Sequence, residues 1–249
     1  MNKINFDELV TLARTEARKS DRALINNVEV FYTTKEFRRV QQEIIDSCNA
    51  EYIYKFAAEN FMGANYSALE DEILKSNDAR LNYLYARDVE KANVQNNAQI
   101  VIKSKDIKLN YLFAKDVKGA DVKAHGKVII NSGDLEANYW FAKDIEKADK
   151  KAHGQVIVES KDLLMNYEFA RDIKNSDKRA HGQVIIDSNN YALNYIFARD
   201  VIGADILAHG KVVMQSKDEE LSKAFINKVN GAERLVNKIS KEEEEGLTL

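Results

Sequence analysis

Apolar residues recur along the chain with helical spacing, in short stretches that turns separate. In residues 106–132, an apolar-rich stretch follows Asp106 and ends near Val117, and a second one runs from Asp121 to about Ser132. Aspartate suits the N-cap of a helix because its carboxylate accepts backbone N–H groups of the first turn. The pattern therefore predicts two short helices joined by short turns.

This pattern repeats every 28 residues. Three kinds of position keep one register through five repeats, namely Asn82, Asn110, Asn138, Asn166 and Asn194; Asp88, Asp116, Asp144, Asp172 and Asp200; and Ser104, Ser132, Ser160, Ser188 and Ser216. Isolated helices this short are marginal in water, so stacking on neighbours must stabilise them. The chain contains no proline, which fits an almost wholly helical protein. We predict an all-α fold, an α-solenoid of stacked helix pairs with helical caps.

The repeats divide the chain into four regions. We predict an N-terminal helical cap over 1–49, six αα repeats over 50–217, a degenerate C-terminal capping repeat over 218–240 and an acidic disordered tail over 241–249. Terminal repeats are expected to be atypical because one face meets water instead of a neighbour.

The asparagine row is predicted to face inward. On a helical wheel, Asn110 lies in the middle of an apolar arc that contains Phe113, Ala114 and Val117. One interpretation is a buried ladder whose amides bond to a neighbouring turn, since a buried amide needs internal partners. The alternative is a row that reads one RNA base per repeat. We favour the buried ladder.

Four repeats carry a histidine followed by glycine in the second helix: His125, His153, His181 and His209. Both residues fall on the apolar arc, and the second repeat has Asn97 and Ala98 instead. A glycine inside a helix costs about 1 kcal/mol relative to alanine, so a repeated one indicates that a backbone or ring approaches closely. We predict that the imidazole donates to a buried acceptor. Metal binding is the alternative, but helices packed about 8–10 Å apart keep equivalent histidines from sharing an ion.

Two charged rows lie on the outer face of the first helices. The cation row is Arg87, Lys115, Lys143, Arg171 and Arg199. Each member directly precedes one of the repeated aspartates, which begin at Asp88. Phosphate binding is one interpretation of the cations. Ion pairing between repeats is the simpler one, since the acids stand beside them.

One position varies while its neighbours stay fixed. It is occupied by Leu84, Leu112, Trp140, Glu168 and Ile196, which we call the variable row. The wheel aims it away from the core, and variable positions on one face of a repeat array suit partner recognition. Packing of each residue on the next repeat is an equally open alternative. Trp140 is the strongest candidate for an interface anchor. The candidate partner-binding residues are this row together with the cation row.

Composition narrows the function classes. The formal net charge is −3 and the pI is about 5.9, so no global basic field points to nucleic acid. No apolar run approaches the roughly 20 residues that span a bilayer, and no signal peptide is apparent, so we expect a cytoplasmic protein. Phosphate loops, zinc-protease helices and nucleophile elbows are absent, and the lone Cys48 is expected to be a packing residue. We expect no enzymatic activity, no cofactor and no metal.

Two segments resemble a known class of repeat protein. The residues EYIYKFA from Glu51 and VKGADVKA from Val117 resemble short αα-repeat proteins of low-GC bacteria and their phages. The likeness covers roughly residues 34–240 and implies a HEAT-like α-solenoid. It implies no activity and no site residues, and the His-Gly pair departs from the pattern of that class.

Three function hypotheses follow. The first is a non-catalytic protein-binding scaffold, in its most specific form a phage-encoded modulator or inhibitor of a host defence complex. The second is a nucleic-acid-binding solenoid that uses the cation row. The third is a metal-dependent enzyme or regulator with its site at the histidines.

Overall fold

The computed structural model describes residues 5–19, 21–25 and 28–233. The described chain forms fifteen helices: α1 (Phe6–Ala17), α2 (Lys35–Asp46), α3 (Ala50–Ala57), α4 (Tyr66–Ser76), α5 (Ala79–Asp88), α6 (Val94–Ser104), α7 (Ile107–Asp116), α8 (Val122–Ser132), α9 (Leu135–Asp144), α10 (Lys150–Ser160), α11 (Leu163–Asp172), α12 (Lys178–Asp187), α13 (Tyr191–Asp200), α14 (Ile206–Gln215) and α15 (Glu219–Lys228). The predicted all-α fold class is confirmed.

Side-chain caps explain why the helices begin and end where they do. The Asp106 carboxylate accepts the backbone N–H of Leu109 at 2.8 Å, and its counterpart Asp134 accepts that of Ala137 at the same distance. The serine row closes the preceding helix, since Ser160 donates to the carbonyl of Ile157 at 2.7 Å and accepts a backbone N–H two residues later. Each repeat therefore contains its own stop and start signals.

The described residues divide into two compact units, with the boundary between Val128 and Ile129 inside α8. In the first unit, first helices pack on first helices (α3 on α5, α5 on α7) and second helices on second helices (α2 on α4, α4 on α6). Its core includes the fully buried Phe37, Phe56 and Phe113.

The second unit follows the same stacking. The first helices α9, α11, α13 and α15 pack in succession, and so do the second helices α10, α12 and α14. One phenylalanine per repeat fills the space between helices, and Phe169, Phe197 and Phe225 are fully buried. This stacking of helix pairs is what the 28-residue period predicts.

The N-terminal cap differs from the predicted helical one. Helices α1 and α2 are separated by a hairpin of two antiparallel strands, β1 (Asp21–Ile25) and β2 (Val28–Tyr32), in which Asp21 pairs with Tyr32 and Ile25 with Val28. The second strand reads Val-Glu-Val-Phe-Tyr, and β-branched and aromatic residues favour strands.

The C-terminal repeat is described only as far as residue 233. It contains α15, followed by a turn in which Ala232 is fully buried. The remainder of the predicted capping repeat and the predicted acidic tail lie outside the described residues.

Candidate functional site

The asparagine row is buried, as predicted. The amide nitrogen of Asn138 donates to the carbonyl oxygens of Ile129 at 3.1 Å and Asp134 at 2.8 Å. The first carbonyl lies in the last turn of α8 and the second in the N-cap of α9, so the amide joins the end of one repeat to the start of the next. Asn110, Asn166 and Asn194 make the same pair of bonds.

The histidine row is also buried and donates to that asparagine, as predicted. His153 Nδ1 lies 2.7 Å from Asn138 Oδ1, and the ring stacks on Phe141 with centroids 4.8 Å apart. Because both amide hydrogens of Asn138 are already donated to carbonyls, its oxygen must accept here, and Nδ1 must carry the proton. The asparagine thereby fixes the tautomer of the histidine.

The neutral form of these histidines is strongly favoured. Burial lowers the pKa of His125, His153, His181 and His209 to about 4, against the weaker opposing charge of the N-cap aspartates. The Nε2 atoms of His125 and His153 are buried and have no hydrogen-bond partner among the described residues. A second proton at Nε2 would therefore be buried without an acceptor.

Glycine follows the histidine because the next repeat occupies the space above it. A Cβ on Gly154 would lie 2.9 Å from Cε1 of Phe169 and 3.2 Å from Nε2 of His181. Real Cβ atoms essentially never show the first distance. The His-Gly pair is therefore a packing device: the imidazole of one repeat fits over the glycine of the repeat before it.

The second repeat lacks this arrangement. Asn97 stands at the histidine position and donates to the Glu70 carboxylate and to the Asn93 carbonyl. Burial raises the pKa of Glu70, which stands at the glycine position one repeat earlier. The side-chain oxygens of Asn82 and Asn97 are buried without a partner among the described residues. The ladder is thus complete only from the third repeat onward.

A row of tyrosines, which the sequence did not lead us to predict, connects successive repeats. Tyr139 donates its hydroxyl to Asp172 of the next repeat at 2.5 Å, and Tyr167 donates to Asp200 at 2.9 Å. In the first compact unit, Tyr83 makes the equivalent bond to Asp116, and Tyr54, one position out of register with the row, donates to Asp88. The regular spacing of 33 or 34 residues between each tyrosine and its aspartate was the available signal. Burial and the hydrogen bond to aspartate raise the pKa of Tyr83 and Tyr139.

The cation row differs from the predicted pairing between repeats. Arg87, Arg171 and Arg199 each pair with the aspartate that follows in the same helix, at 2.6–2.7 Å, and stack over the tyrosine one turn earlier. Lys143 does reach Asp172 of the next repeat, at 3.3 Å. In the three arginine pairs, Nε donates to Oδ1 of the adjacent aspartate in the same helix, and a tyrosine of the preceding repeat donates to Oδ2. Lys115 donates to Tyr111 at 2.9 Å.

The variable row is divided between packing and exposure. Three residues are half-buried and pack against the cores of their repeats, namely Leu84, Leu112 and Ile196. Glu168 is also half-buried. Trp140 is 48% exposed. It meets Tyr139 edge-on with centroids 5.1 Å apart, and Lys143 Nζ lies 5.1 Å from the indole ring. The two leucines are therefore less exposed than their positions on the helical wheel predict.

Cys48 is exposed rather than packed. It lies two residues after the end of α2, with a φ of 51° in the left-handed region. Within the described ranges no cluster of three or more His, Cys, Asp or Glu residues could hold a metal ion. Among the helices that the structure describes, none has the length and hydrophobicity to cross a membrane.

No protein-family model, curated protein or solved structure is significantly similar to this chain.

Proposed function

We propose that this protein is a non-catalytic protein-binding scaffold that contacts its partner with the variable row and the cation row. The observation that carries the proposal is the exposure of Trp140 on a repeat whose other recurrent side chains are used internally. Tryptophan is enriched in binding hot spots, so a half-exposed tryptophan is a candidate interface anchor.

The surroundings of Trp140 suit an interface anchor. Tyr139 and Lys143 contact the indole from its edge and face, so its orientation is restricted before a partner arrives. Restriction of this kind reduces the entropy that binding costs. The ammonium group of Lys143 supplies a polar neighbour of the kind that the rim of an interface contains.

Nucleic-acid binding remains the alternative for the same face. The ion pairs of Arg87, Arg171 and Arg199 with adjacent aspartates weigh against it, because a phosphate would have to compete with a carboxylate at about 2.6–2.7 Å. The resemblance to repeat proteins of phages and low-GC bacteria makes a protein complex of a bacterial host the partner class we propose, in the cytoplasm.

Affinity capture from a bacterial lysate, with and without nuclease, tests the proposal. We expect Trp140→Ala to weaken retention of a captured protein by about 2 kcal/mol or more, which is roughly 30-fold, at an unchanged melting temperature. The exposed Leu164 of α11 provides a matched control, and Leu164→Ala should leave retention unchanged.

Nucleic acid as the partner would give the opposite order. Binding would then disappear with nuclease, and the double charge reversal Lys143→Glu/Arg171→Glu would weaken it more than Trp140→Ala does. Unfolding of Trp140→Ala would assign the variable row to the core and remove the basis of the proposal.

A further inference from the structure

A groove runs between the second helices α10 and α12, away from the residues discussed above. Its volume is about 640 Å³, within the roughly 300–1,000 Å³ of ordinary binding pockets. Val158, Leu163, Ala180 and Val184 supply an apolar floor, and each is only partly buried. None of the recurrent buried side chains of the repeat lines it.

Two carboxylates flank this floor, one on each helix. Glu159 and Asp187 occupy equivalent positions 28 residues apart, and both are exposed. Gln155 donates to Glu159 at 2.9 Å and Gln183 donates to Asp187 at 2.7 Å. Neither carboxylate forms an ion pair with a cation in the described part of the chain. The amides thus orient both acids and leave their charge uncompensated.

The remaining charge of the groove is one lysine, Lys161, at the end of α10. The groove therefore combines an apolar floor with a net negative rim. Its charge also disfavours the acidic stretch KEEEE near the end of this chain as an occupant, since like charges would meet.

We propose that this groove binds an amphipathic helix of another protein, with apolar residues on one face and two basic residues seven positions apart. Equivalent atoms on packed neighbouring helices lie about 8–10 Å apart. Seven residues of helix rise about 10.5 Å, so a helix lying across α10 and α12 brings one cation to each carboxylate. This site does not depend on the face that contains Trp140.

The probe is a fluorescently labelled 18-residue helical peptide of leucine and alanine with two lysines seven positions apart. Its matched peptide has glutamates in place of both lysines. We expect the lysine peptide to bind at least tenfold more tightly than the glutamate peptide, and a third peptide with the lysines three positions apart to bind more weakly than the first.

Variants of the protein localise the binding. Glu159→Gln/Asp187→Asn should weaken binding of the lysine peptide at least tenfold, and Val184→Ser should weaken it for every peptide. The matched control Glu136→Gln/Glu146→Gln removes two exposed carboxylates elsewhere in the same compact unit and should change nothing. Circular dichroism confirms that each variant is folded.

Three outcomes would overturn the proposal. The first is equal weakening by the control pair, which would show non-specific attraction to acidic surface. The second is loss of peptide binding in Trp140→Ala, which would place the peptide on the other face. The third is a dimer of the free protein that Val184→Ser dissociates, which would show that the groove holds a second copy.

Discussion

At the scale of single residues, one amide sets the chemistry of one imidazole in each complete repeat. Asn138 donates both of its amide hydrogens to backbone carbonyls, so its side-chain oxygen can only accept a hydrogen bond from His153. Burial then keeps the imidazole neutral, because it lowers the pKa of His153 to about 4. Repetition of this pair in four places makes the stability of the protein sensitive to acid.

Stability should fall as the pH drops from about 6.5 to about 4. Unfolded histidine takes up its proton near pH 6.5, whereas the folded histidines have a pKa of about 4. Between these values the unfolded chain binds more protons, so the stabilisation is complete above pH 6.5 and is lost on acidification. The loss is about 3 kcal/mol per histidine at the acid end.

Urea unfolding at a series of pH values measures this effect. His153→Asn, which copies the natural Asn97, should lower the slope between pH 6.5 and 4 because it removes one of four histidine contributions. The lowered pKa of Asp88 and Asp200, which follows mainly from hydrogen bonds with Arg87 and Arg199, acts only below that window. An unchanged slope in the variant would show that His153 does not titrate as described.

Alanine in place of Gly154 should destabilise the protein although alanine is the better helix former. The added methyl would lie 2.9 Å from Cε1 of Phe169, whereas at Gly182 the equivalent contact, with Cε1 of Phe197, is 3.2 Å. We expect Gly154→Ala to cost about 1–3 kcal/mol, and Gly182→Ala to cost less. Thermal unfolding of both variants measures the order, and a gain in stability for Gly154→Ala would contradict the close approach.

At the scale of helices, the tyrosine row holds one repeat to the next. Tyr167 of α11 donates to Asp200 of α13, and Tyr195 of α13 has Lys228 at the corresponding position. Tyr195 therefore provides a natural control within the same chain. It keeps the ring and the contact with its own arginine but has no aspartate to receive its hydroxyl at that position.

Tyr167→Phe should lower the free energy of unfolding by about 1–3 kcal/mol, the range for a hydrogen bond to a charged group. Tyr195→Phe should change it by less than about 0.5 kcal/mol. Urea unfolding of both variants under identical conditions is the measurement. Equal losses would show that the hydroxyls stabilise their own helices rather than the contact between repeats.

Helix ends offer a second prediction at this scale. Lys105 and Lys161 end their helices with φ of 58° and 57°, and Gly133 occupies the same position with φ of 69°. A side chain in the left-handed region costs about 1–2 kcal/mol, part of which the greater entropy of unfolded glycine offsets. Lys105→Gly should therefore raise stability by about 0.5–1 kcal/mol in urea unfolding, and a loss would indicate that the lysine itself stabilises the turn.

The sequence predicted the helices, their caps and the buried rows because periodicity reports directly on which residues share a face. Asn110 and His125 illustrate this success, since each is buried where the wheel placed it. Three of the features that the sequence did not predict depend on how the helices stack. The bond from Tyr139 to Asp172 depends on the angle between stacked helices, which spacing alone does not define. The exposure of Leu112 depends on how far the neighbouring repeat extends over it.

The third missed feature is the groove between α10 and α12. Its floor residues Val158 and Val184 lie on the apolar arc and look like ordinary core positions in the sequence. Both valines are only partly covered. The second helices α10 and α12 are not consecutive in the chain, because the first helix α11 lies between them in sequence, and they meet along one side only. A surface of this kind is visible only once the stacking is known.

At the scale of the whole molecule, the unit that begins at Ile129 uses the same kinds of interaction between one pair of neighbouring repeats as between the next. The repeats that begin at Asp162 and Asn190 each offer an aspartate to the preceding tyrosine, an asparagine to the preceding helix end and an imidazole to the preceding glycine. A repeat array of this kind is stabilised by nearest-neighbour contacts. Removal of one whole period should therefore preserve every kind of contact.

Deletion of residues 163–190 tests this interchangeability. The deletion joins Asp162 to Tyr191, so that Asp162 becomes the N-cap of α13. Tyr139 then meets Asp200 in place of Asp172. Asn194 meets the carbonyl of Ile157. We expect a helical protein that still unfolds cooperatively, with a denaturant slope lower by about a tenth because less surface is exposed on unfolding. Deletion of half a period, residues 163–176, is the control, since it brings α12 to the place of α11 and puts Ala180 at the position of Asn166. That variant should lose cooperative unfolding. If both deletions unfold alike, the contacts between repeats depend on the individual residues of α11 and α12, and the repeat is not the unit of stability.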